Sequence, residues 1–182
     1  FELDQTDSRI FMELDQLYKK MGRAHAERLT FLEAHLELVA QRDDLCIERI
    51  TLYNQLGNYE KARELIAARK FHPWEGGEGK VTGQYILCRV ELAKKAIKEK
   101  RYLEAISLLK ETDHYPHNLG EGKLINAEEN EVDYYKGIAY QKLGNEAESI
   151  KYLMKATQGS SEPQQAFYYN DQQPDKIFYQ GL

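Results

Sequence analysis

The sequence contains little cysteine and little proline, and it has no long apolar run. Only two of its 182 residues are cysteine and four are proline. Because Cys46 and Cys88 both fall within helical patterns, we expect buried thiols rather than a disulfide framework, which favours a reducing compartment. The apolar runs are too short to span a bilayer, and the first residues, FELDQTDSRI, show no secretory signal. These absences predict a cytoplasmic protein.

A basic block is also missing. The chain has 25 lysines and arginines against 30 aspartates and glutamates, and the resulting net charge of −5 is mixed along the whole length. A nucleic-acid groove or an anionic membrane attracts clustered basic residues, so neither is an expected partner. With 42% hydrophobic residues, the chain is too apolar to be disordered. We therefore expect a folded domain.

What the sequence does contain is helical periodicity throughout. In residues 9–22 the apolar residues that recur at helical spacing are Ile10, Leu14, Leu17, Tyr18 and Met21. No segment alternates apolar and polar residues long enough to predict a strand. The further predicted helices cover about residues 24–40, 45–56, 59–70, 81–99, 102–112, 127–143 and 146–157. The predicted fold class is all-α.

The helices form repeated pairs. Reverse turns are expected at Gly22, Gly57, Lys100 and Gly144, with spacings of 35, 43 and 44 residues. The stretch LYNQLGNYEKARELI (52–66) matches AYQKLGNEAESIKYL (139–153) closely in residue type. A glycine allows a tight reversal, and a small residue after the turn allows two helices to approach. The tyrosines before the turns and the small residues after them are Tyr18, Tyr53, Tyr140, Ala62, Ala105 and Ser149.

These features resemble tetratricopeptide repeats over about residues 7–160. The best-matched stretch is YYKGIAYQKLGNEAESIKYLMKA (134–156), with Gly137 placed for close helix contact. The resemblance implies an α-solenoid, a right-handed superhelix of stacked antiparallel helix pairs, as a single domain over residues 1–182. About four units are expected, followed by the start of a fifth helix pair: 7–42, 43–80, 81–125, 126–163 and 174–182.

The tail suggests that the repeat continues. Its FYQGL (178–182) has the pattern of YYKGI (134–138), and Pro174 suits the first turn of a helix. Terminal repeats normally present a polar outer face. We therefore expect a piece of a longer chain, with either exposed apolar surface or homodimerisation at its last helix.

A narrower resemblance rests on two similar loops and the helices before them. ELDQLYKKMG, FHPWEGGEGK (71–80) and YPHNLGEGK (115–123) resemble the C-terminal repeat region of a bacterial family of uncharacterised multidomain proteins. In that family a β-rich domain of unknown function, linked to carbohydrate-active enzymes, precedes the tetratricopeptide repeats. The resemblance implies no assigned activity and no catalytic residues.

Two chemical interpretations of these loops fail. In each loop the run Gly-Glu-Gly-Lys begins four residues after a proline, but the residues after the run are Val81 and Leu124 rather than the Ser or Thr of a phosphate-binding loop. The loop histidines do not share a helix face and have no cysteine beside them, so no metal site is expected: His72, His114 and His117.

Two other interpretations of the loops stay open. In the structural one, Pro73 and Pro116 end helices, while Glu78 and Glu121 precede the next helix and complement its dipole. In the other, the loops form one docking patch around the only tryptophan, of the kind that binds protein or sugar. The loop docking candidates are Trp74, Glu75, Glu78, Lys80, His117, Glu121 and Lys123.

A groove lined by the first helix of each pair is the other candidate surface. Solenoids of this kind hold a peptide or partner protein there. The predicted groove residues are Glu13, Gln16, Glu48, Asn54, Glu91, Lys94, Glu131 and Tyr135. An acidic groove suits a basic or neutral partner, although these glutamates are equally explained as solvated helix faces.

The sequence contains no defensible nucleophile–base pair and no cofactor fingerprint, so we expect neither an enzyme nor a cofactor. Two hypotheses remain. The first is a protein-interaction scaffold that binds a partner protein or peptide in its groove. The alternative is an accessory module that packs on or completes a carbohydrate-related domain of the same parent chain, through the Trp74 and His117 loops.

Overall fold

The computed structural model describes residues 6–125, 127, 129–159 and 174–182, and these residues form an all-α fold without a strand. The predicted fold class is confirmed at this level, whereas the superhelix and its unit boundaries stay predictions. The helices are α1 (Ser8–Lys20), α2 (His25–Glu33), α3 (Leu36–Val39), α4 (Asp43–Gln55), α5 (Tyr59–Ala68), α6 (Lys80–Lys98), α7 (Tyr102–Lys110), α8 (Asn130–Lys142), α9 (Glu146–Ala156) and α10 (Pro174–Gly181). Short 3₁₀ turns cover Glu111–Asp113 and His117–Leu119.

The chain divides into two compact units. The first contains the residues up to Cys88 together with His117–Glu121, and the second contains Arg89–Pro116 and the residues from Gly122 onward. The first half of α6 therefore belongs to the first unit and its second half to the second. The inclusion of residues 117–121 in the first unit could not be predicted from the repeat pattern.

All four predicted reverse turns have the same backbone geometry. At Gly144, the turn N–H donates to Gln141 O (3.0 Å) and the next N–H donates to Tyr140 O (3.0 Å), which is the Schellman pairing that ends helices. The same two bonds recur at the other three turns, and all four turn residues have positive φ: Gly22, Gly57, Lys100 and Gly144. The recurrent tyrosines therefore lie where a helix carbonyl accepts the closing bond.

The core of the first unit is formed by side chains from α1, α2, α3 and α4. Its fully or almost fully buried residues are Phe11, Leu32, Leu38, Val39, Leu45 and Leu52. The predicted apolar stripe of α1 is wrong, because Ile10, Leu17 and Met21 are exposed while Phe11 and Asp15 are buried. A carboxylate can occupy that core position because Arg28 neutralises it there.

The helix predicted over residues 24–40 is interrupted. Helix α2 ends at Glu33 and α3 begins at Leu36, with His35 between them at φ −137°. The Nδ1 atom of His35 lies 3.1 Å from Phe31 O, and its ring is 5.0 Å from the Phe11 ring, so His35 packs against the core. The break allows Leu38 and Val39 to enter the core.

The second unit is built on the α8–α9 pair. A side chain at Gly137 would place its Cβ 2.6 Å from Leu153 Cγ, so the predicted close contact at this glycine is confirmed. Helix α8 begins at Asn130 rather than at the predicted residue 127. The Asn130 side chain donates to Ala156 O and Gln158 O, both at 2.7 Å, and so ties the start of α8 to the end of α9.

Two further features bear on the sequence predictions. Cys46 is partly buried and Cys88 is buried, and neither forms a disulfide. Among the helices that the structure describes, none combines the length and the apolar character needed to cross a membrane.

Candidate functional site

Four of the predicted groove residues come together in the second unit. The Nζ atom of Lys94 on α6 donates to Glu91 Oε1 and to Glu131 Oε1, each at 2.6 Å. The same ammonium lies 4.9 Å from the centre of the Tyr135 ring, close enough for a cation–π contact. We refer to Glu91, Lys94, Glu131, Tyr134 and Tyr135 as the α8 surface.

Helix α10 is docked on this α8 surface through one tyrosine. The hydroxyl of Tyr179 donates to Glu131 Oε1 at 2.8 Å. The Tyr179 ring centre lies 5.4 Å from that of Tyr134 and 5.8 Å from that of Tyr135, in tilted and edge-on arrangements that aromatic pairs favour. The α8 surface therefore accommodates a tyrosine side chain carried by a helix.

The charges of the α8 surface are held in place by one another. Burial opposes the charged form of Lys94, but its hydrogen bonds to Glu131 and Glu91 outweigh burial and raise the pKa of the ammonium. Burial, followed by the contacts with Tyr135 and Glu131, raises the pKa of the Tyr179 phenol. Both raised pKa values keep Lys94 as an ammonium and Tyr179 as a neutral phenol at neutral pH.

Part of this hydrogen-bonding capacity remains for a ligand. The side chains of Glu91, Lys94 and Glu131 are each about a quarter exposed. Glu131 uses Oε1 for both of its contacts, and Glu91 uses Oε1 for its contact with Lys94. The Oε2 atoms of both residues are not bonded within the described parts of the chain, so each can accept from a donor on a bound segment.

The four groove candidates of the first unit are not arranged as one open surface. Glu48 is only 8% exposed and accepts from Arg28 (2.7 Å) and Lys19 (3.0 Å). Asn54 is buried and donates to the Gln84 side chain at 2.8 Å. Glu13 is exposed and pairs with Arg9 on its own helix, while Gln16 is half-buried. Glu48 and Asn54 thus serve packing inside the unit.

Glu48 belongs to a buried charge cluster that sequence reasoning missed. Arg28 forms a bidentate ion pair with Asp15, in which Nε and Nη2 donate to the two carboxylate oxygens at 3.1 and 2.7 Å. Its Nη2 atom also donates to Glu48. Burial raises the pKa of Asp15, against the opposing effect of Arg28. Burial also acts on Glu48, but the hydrogen bonds from Arg28 and Lys19 outweigh it and lower the pKa. The sequence does contain one indication that Asp15 faces the core, because it lies at helical spacing from Phe11 and Tyr18.

The second of the two similar loops packs on the first rather than repeating its role. The N–H of Phe71 donates to Asn118 O at 2.7 Å. The Asn118 side chain donates to Ile66 O and Arg69 O, both at 2.8 Å, and so satisfies carbonyls at the end of α5. At Gly120 a Cβ would lie 2.8 Å from Phe71 O, so the approach of the two backbones requires glycine.

The start of α6 is capped by the second loop as well. The carboxylate of Glu121 accepts from Gly79 N–H at 3.0 and 3.1 Å and from the Thr82 hydroxyl at 3.2 Å. The expectation that Glu121 precedes the next helix is wrong, because α8 begins only at Asn130. The expectation that Pro73 and Pro116 directly end helices is also wrong, because α5 ends at Ala68 and α7 at Lys110.

The remaining loop candidates have separate surroundings. Trp74 is half-buried, and its ring covers Gly77, where a Cβ would lie 2.2 Å from the indole. Lys123, in the second unit, donates to Thr112 O and Glu129. The other candidates lie at the surface or are half-buried: Glu75, Glu78, Lys80 and His117.

No group of histidine, cysteine, aspartate and glutamate that could hold a metal ion occurs in the described portion of the chain. Compared with models of known protein families, the sequence matches none.

Sequence reasoning missed Tyr134 and Tyr179 as members of the site. The signal was present, since FYQGL (178–182) repeats the pattern YYKGI (134–138) and so places Tyr179 at the register of Tyr135. What the pattern could not show is that the ring of Tyr179 packs against those of Tyr134 and Tyr135 and that its hydroxyl donates to Glu131.

Proposed function

We propose that this protein is an interaction scaffold of the tetratricopeptide-repeat type, without catalytic activity, that binds a helical segment of a partner protein. The binding surface is the α8 surface. The single observation that carries the proposal is the docking of Tyr179, which packs against two tyrosine rings in tilted and edge-on arrangements and donates to Glu131.

Support for the repeat type comes from the turns. Four helix pairs reverse with the same two hydrogen bonds and the same positive φ, although one turn has lysine in place of glycine. Small residues after three of these turns are fully or almost fully buried, as helix pairs of this type require: Ala62, Ala105 and Ser149.

Support for a helical partner comes from chemistry. A tyrosine supplies a large rigid contact and a hydroxyl donor, and such residues dominate binding energy in interfaces. The Oε2 atoms of Glu91 and Glu131, which have no bond within the described ranges, suit a segment that brings further donors, such as a basic or neutral helix. The alternative, docking of a carbohydrate-related domain through the loops, has less support, because Asn118, Gly120 and Glu121 are already engaged within the first unit.

The test is a titration of the Tyr179→Ala chain with a synthetic peptide of residues 174–182, followed by NMR of the labelled protein. Removing the Tyr179 side chain frees the α8 surface, so we expect the peptide to bind with a Kd of about 0.1–1 mM, since isolated short helices are marginal. The amide signals of Glu131 and Tyr135 should shift.

The matched variants decide the interpretation. Adding Tyr135→Ala should abolish the peptide-induced shifts, whereas adding Trp74→Ala should leave them unchanged. A partner protein retained by the full chain should then be competed off by the same peptide. Peptide binding that persists without Tyr135, or that depends on Trp74, would overturn the proposal.

A further inference from the structure

The first unit contains an apolar cavity that the proposed scaffold function does not use. It measures about 250 Å³ and lies between α3, α4 and the end of α5. Its lining residues are Leu36, Val39, Ala40, Cys46, Arg49, Ile50, Leu65, Ala68 and Arg69. Val39 and Ile50 are almost fully buried and form its base, while Leu36, Ala40 and Ala68 are exposed and leave it open to solvent.

Two arginines are the only charged residues among those lining the cavity. Arg49 donates through Nε to Glu33 at 2.6 Å, and Arg69 donates through Nε to Asp43 at 2.6 Å. Arg69 also donates through Nη1 to Ala40 O at 3.0 Å. Because a guanidinium carries five N–H donors, these contacts leave donors on both side chains for an anion at the cavity.

Besides the two arginines, the only polar side chain among the lining residues is that of Cys46. It donates to Val39 O at 3.1 Å, and burial raises its pKa, so it remains a neutral thiol at neutral pH. It therefore contributes apolar surface and places no negative charge beside a bound anion.

We propose that this cavity binds a medium-chain aliphatic carboxylate, with the chain against Val39 and Ile50 and the carboxylate paired with Arg49 and Arg69. The volume accommodates about eight water-sized groups, which matches an alkyl chain of similar carbon number. An apolar lining with a small number of placed polar groups is the usual composition of a small-molecule site, and a guanidinium pairs a carboxylate with two parallel hydrogen bonds.

The test uses the full chain, octanoate and the two cysteines. Cys46 lines the cavity, whereas Cys88 is fully buried elsewhere, so Cys88 serves as an internal reference for unfolding. We expect saturating octanoate to slow alkylation of Cys46 by iodoacetamide at least tenfold, with Cys88 unreactive throughout. An NMR titration gives the Kd and should shift the amides of Ile50 and Leu65.

Three comparisons make the result specific. Arg49→Gln should weaken octanoate binding roughly tenfold or more, because a charge-assisted hydrogen bond is lost. Arg9→Gln removes the same charge from an exposed position on α1 and should leave the Kd unchanged. Ala68→Trp should fill the mouth of the cavity and abolish binding, with circular dichroism confirming the fold.

Three outcomes would overturn the inference. One is the absence of any octanoate effect on Cys46. Another is octanol binding as tightly as octanoate, which would show that the arginines do not recognise the carboxylate. The last is equal weakening by Arg9→Gln and Arg49→Gln, which would indicate nonspecific charge attraction.

Discussion

The carboxylate of Glu121 accepts two hydrogen bonds from the backbone N–H of Gly79, a residue 42 positions earlier in the chain. Glu121 thus caps the first turn of α6, where backbone N–H groups lack partners within the helix. Glu78, which lies two residues before α6, makes no such contact within the part of the chain that the structure describes. The two similar loops therefore have different roles. Glu121 of the second loop caps α6, the helix that directly follows the first loop.

This cap leads to a prediction about stability. Glu121→Ala should lower the free energy of unfolding by about 1–2 kcal/mol, because Gly79 N–H and the Thr82 hydroxyl lose their acceptor. Glu78→Ala is the matched control and should change it by less than about 0.5 kcal/mol. Urea unfolding followed by Trp74 fluorescence measures both variants. Equal losses for the two variants would contradict the assignment of the cap to Glu121.

The two glycines beside Glu121 provide an independent test of the same contact. Gly120 has φ +77° and approaches Phe71 O, whereas a Cβ added at Gly122 would meet no atom within 4 Å. Gly120→Ala should therefore destabilise the chain by about 1–3 kcal/mol through strain and overlap. Gly122→Ala should be close to neutral. Thermal unfolding distinguishes them, and a neutral Gly120→Ala would mean that the loops do not touch.

Lys100 offers a stabilising change. It is the one non-glycine residue with positive φ in the described ranges, at a turn position where the other three repeats have glycine. Lys100→Gly should raise the free energy of unfolding by about 0.5–1 kcal/mol, because glycine adopts this conformation without a Cβ penalty. Lys98→Gly, at the last residue of α6, should instead destabilise by up to about 1 kcal/mol. Calorimetry of both variants checks the difference in sign.

The buried cluster around Arg28 predicts opposite pH effects from its two acids. The pKa of Glu48 is lowered in the folded state, so its stabilisation is complete above the usual value of 4.5 and is lost as pH falls below it. The pKa of Asp15 is raised above 3.8, so its contribution is present at low pH and is lost as pH rises.

Urea unfolding between about pH 3 and pH 6 tests these signs. Glu48→Gln should flatten the rise of stability with pH, because it removes a group that is protonated first in the unfolded chain. Asp15→Asn should steepen that rise, because it removes a group that is protonated first in the folded chain. Changes of the same sign in both variants would contradict the opposite pKa shifts.

Much of the local structure could be predicted from the sequence. Helices recur wherever apolar residues have the helical period, and the four turns lie at Gly22, Gly57, Lys100 and Gly144. The errors have physical causes. The stripe of α1 was assigned to the wrong face because an ion pair with Arg28 allows Asp15 into the core. The helix over residues 24–40 breaks because Leu38 and Val39 can reach the core only after a change of direction.

The candidate site could be predicted only in part. Glu91, Lys94, Glu131 and Tyr135 were selected because they lie on the first helices of their pairs, and they do meet around Lys94. Glu48 has the register of Glu91, nine residues before its turn, yet it is buried between Arg28 and Lys19. Equivalent sequence positions thus differ because the neighbouring side chains differ, and those neighbours come from distant parts of the chain.

The helical class and the positions of the turns follow from local sequence patterns. The helical spacing of apolar residues and the turn conformation that glycine permits both depend on residues only a few positions apart. Three other features required the folded chain: Glu121 and Asn118 cap helices about forty or more residues earlier, Arg28 neutralises Asp15, and Tyr179 packs edge-on against α8. Each of those contacts joins groups that are far apart along the chain. Their pairing depends on how the helices pack, which no local pattern encodes.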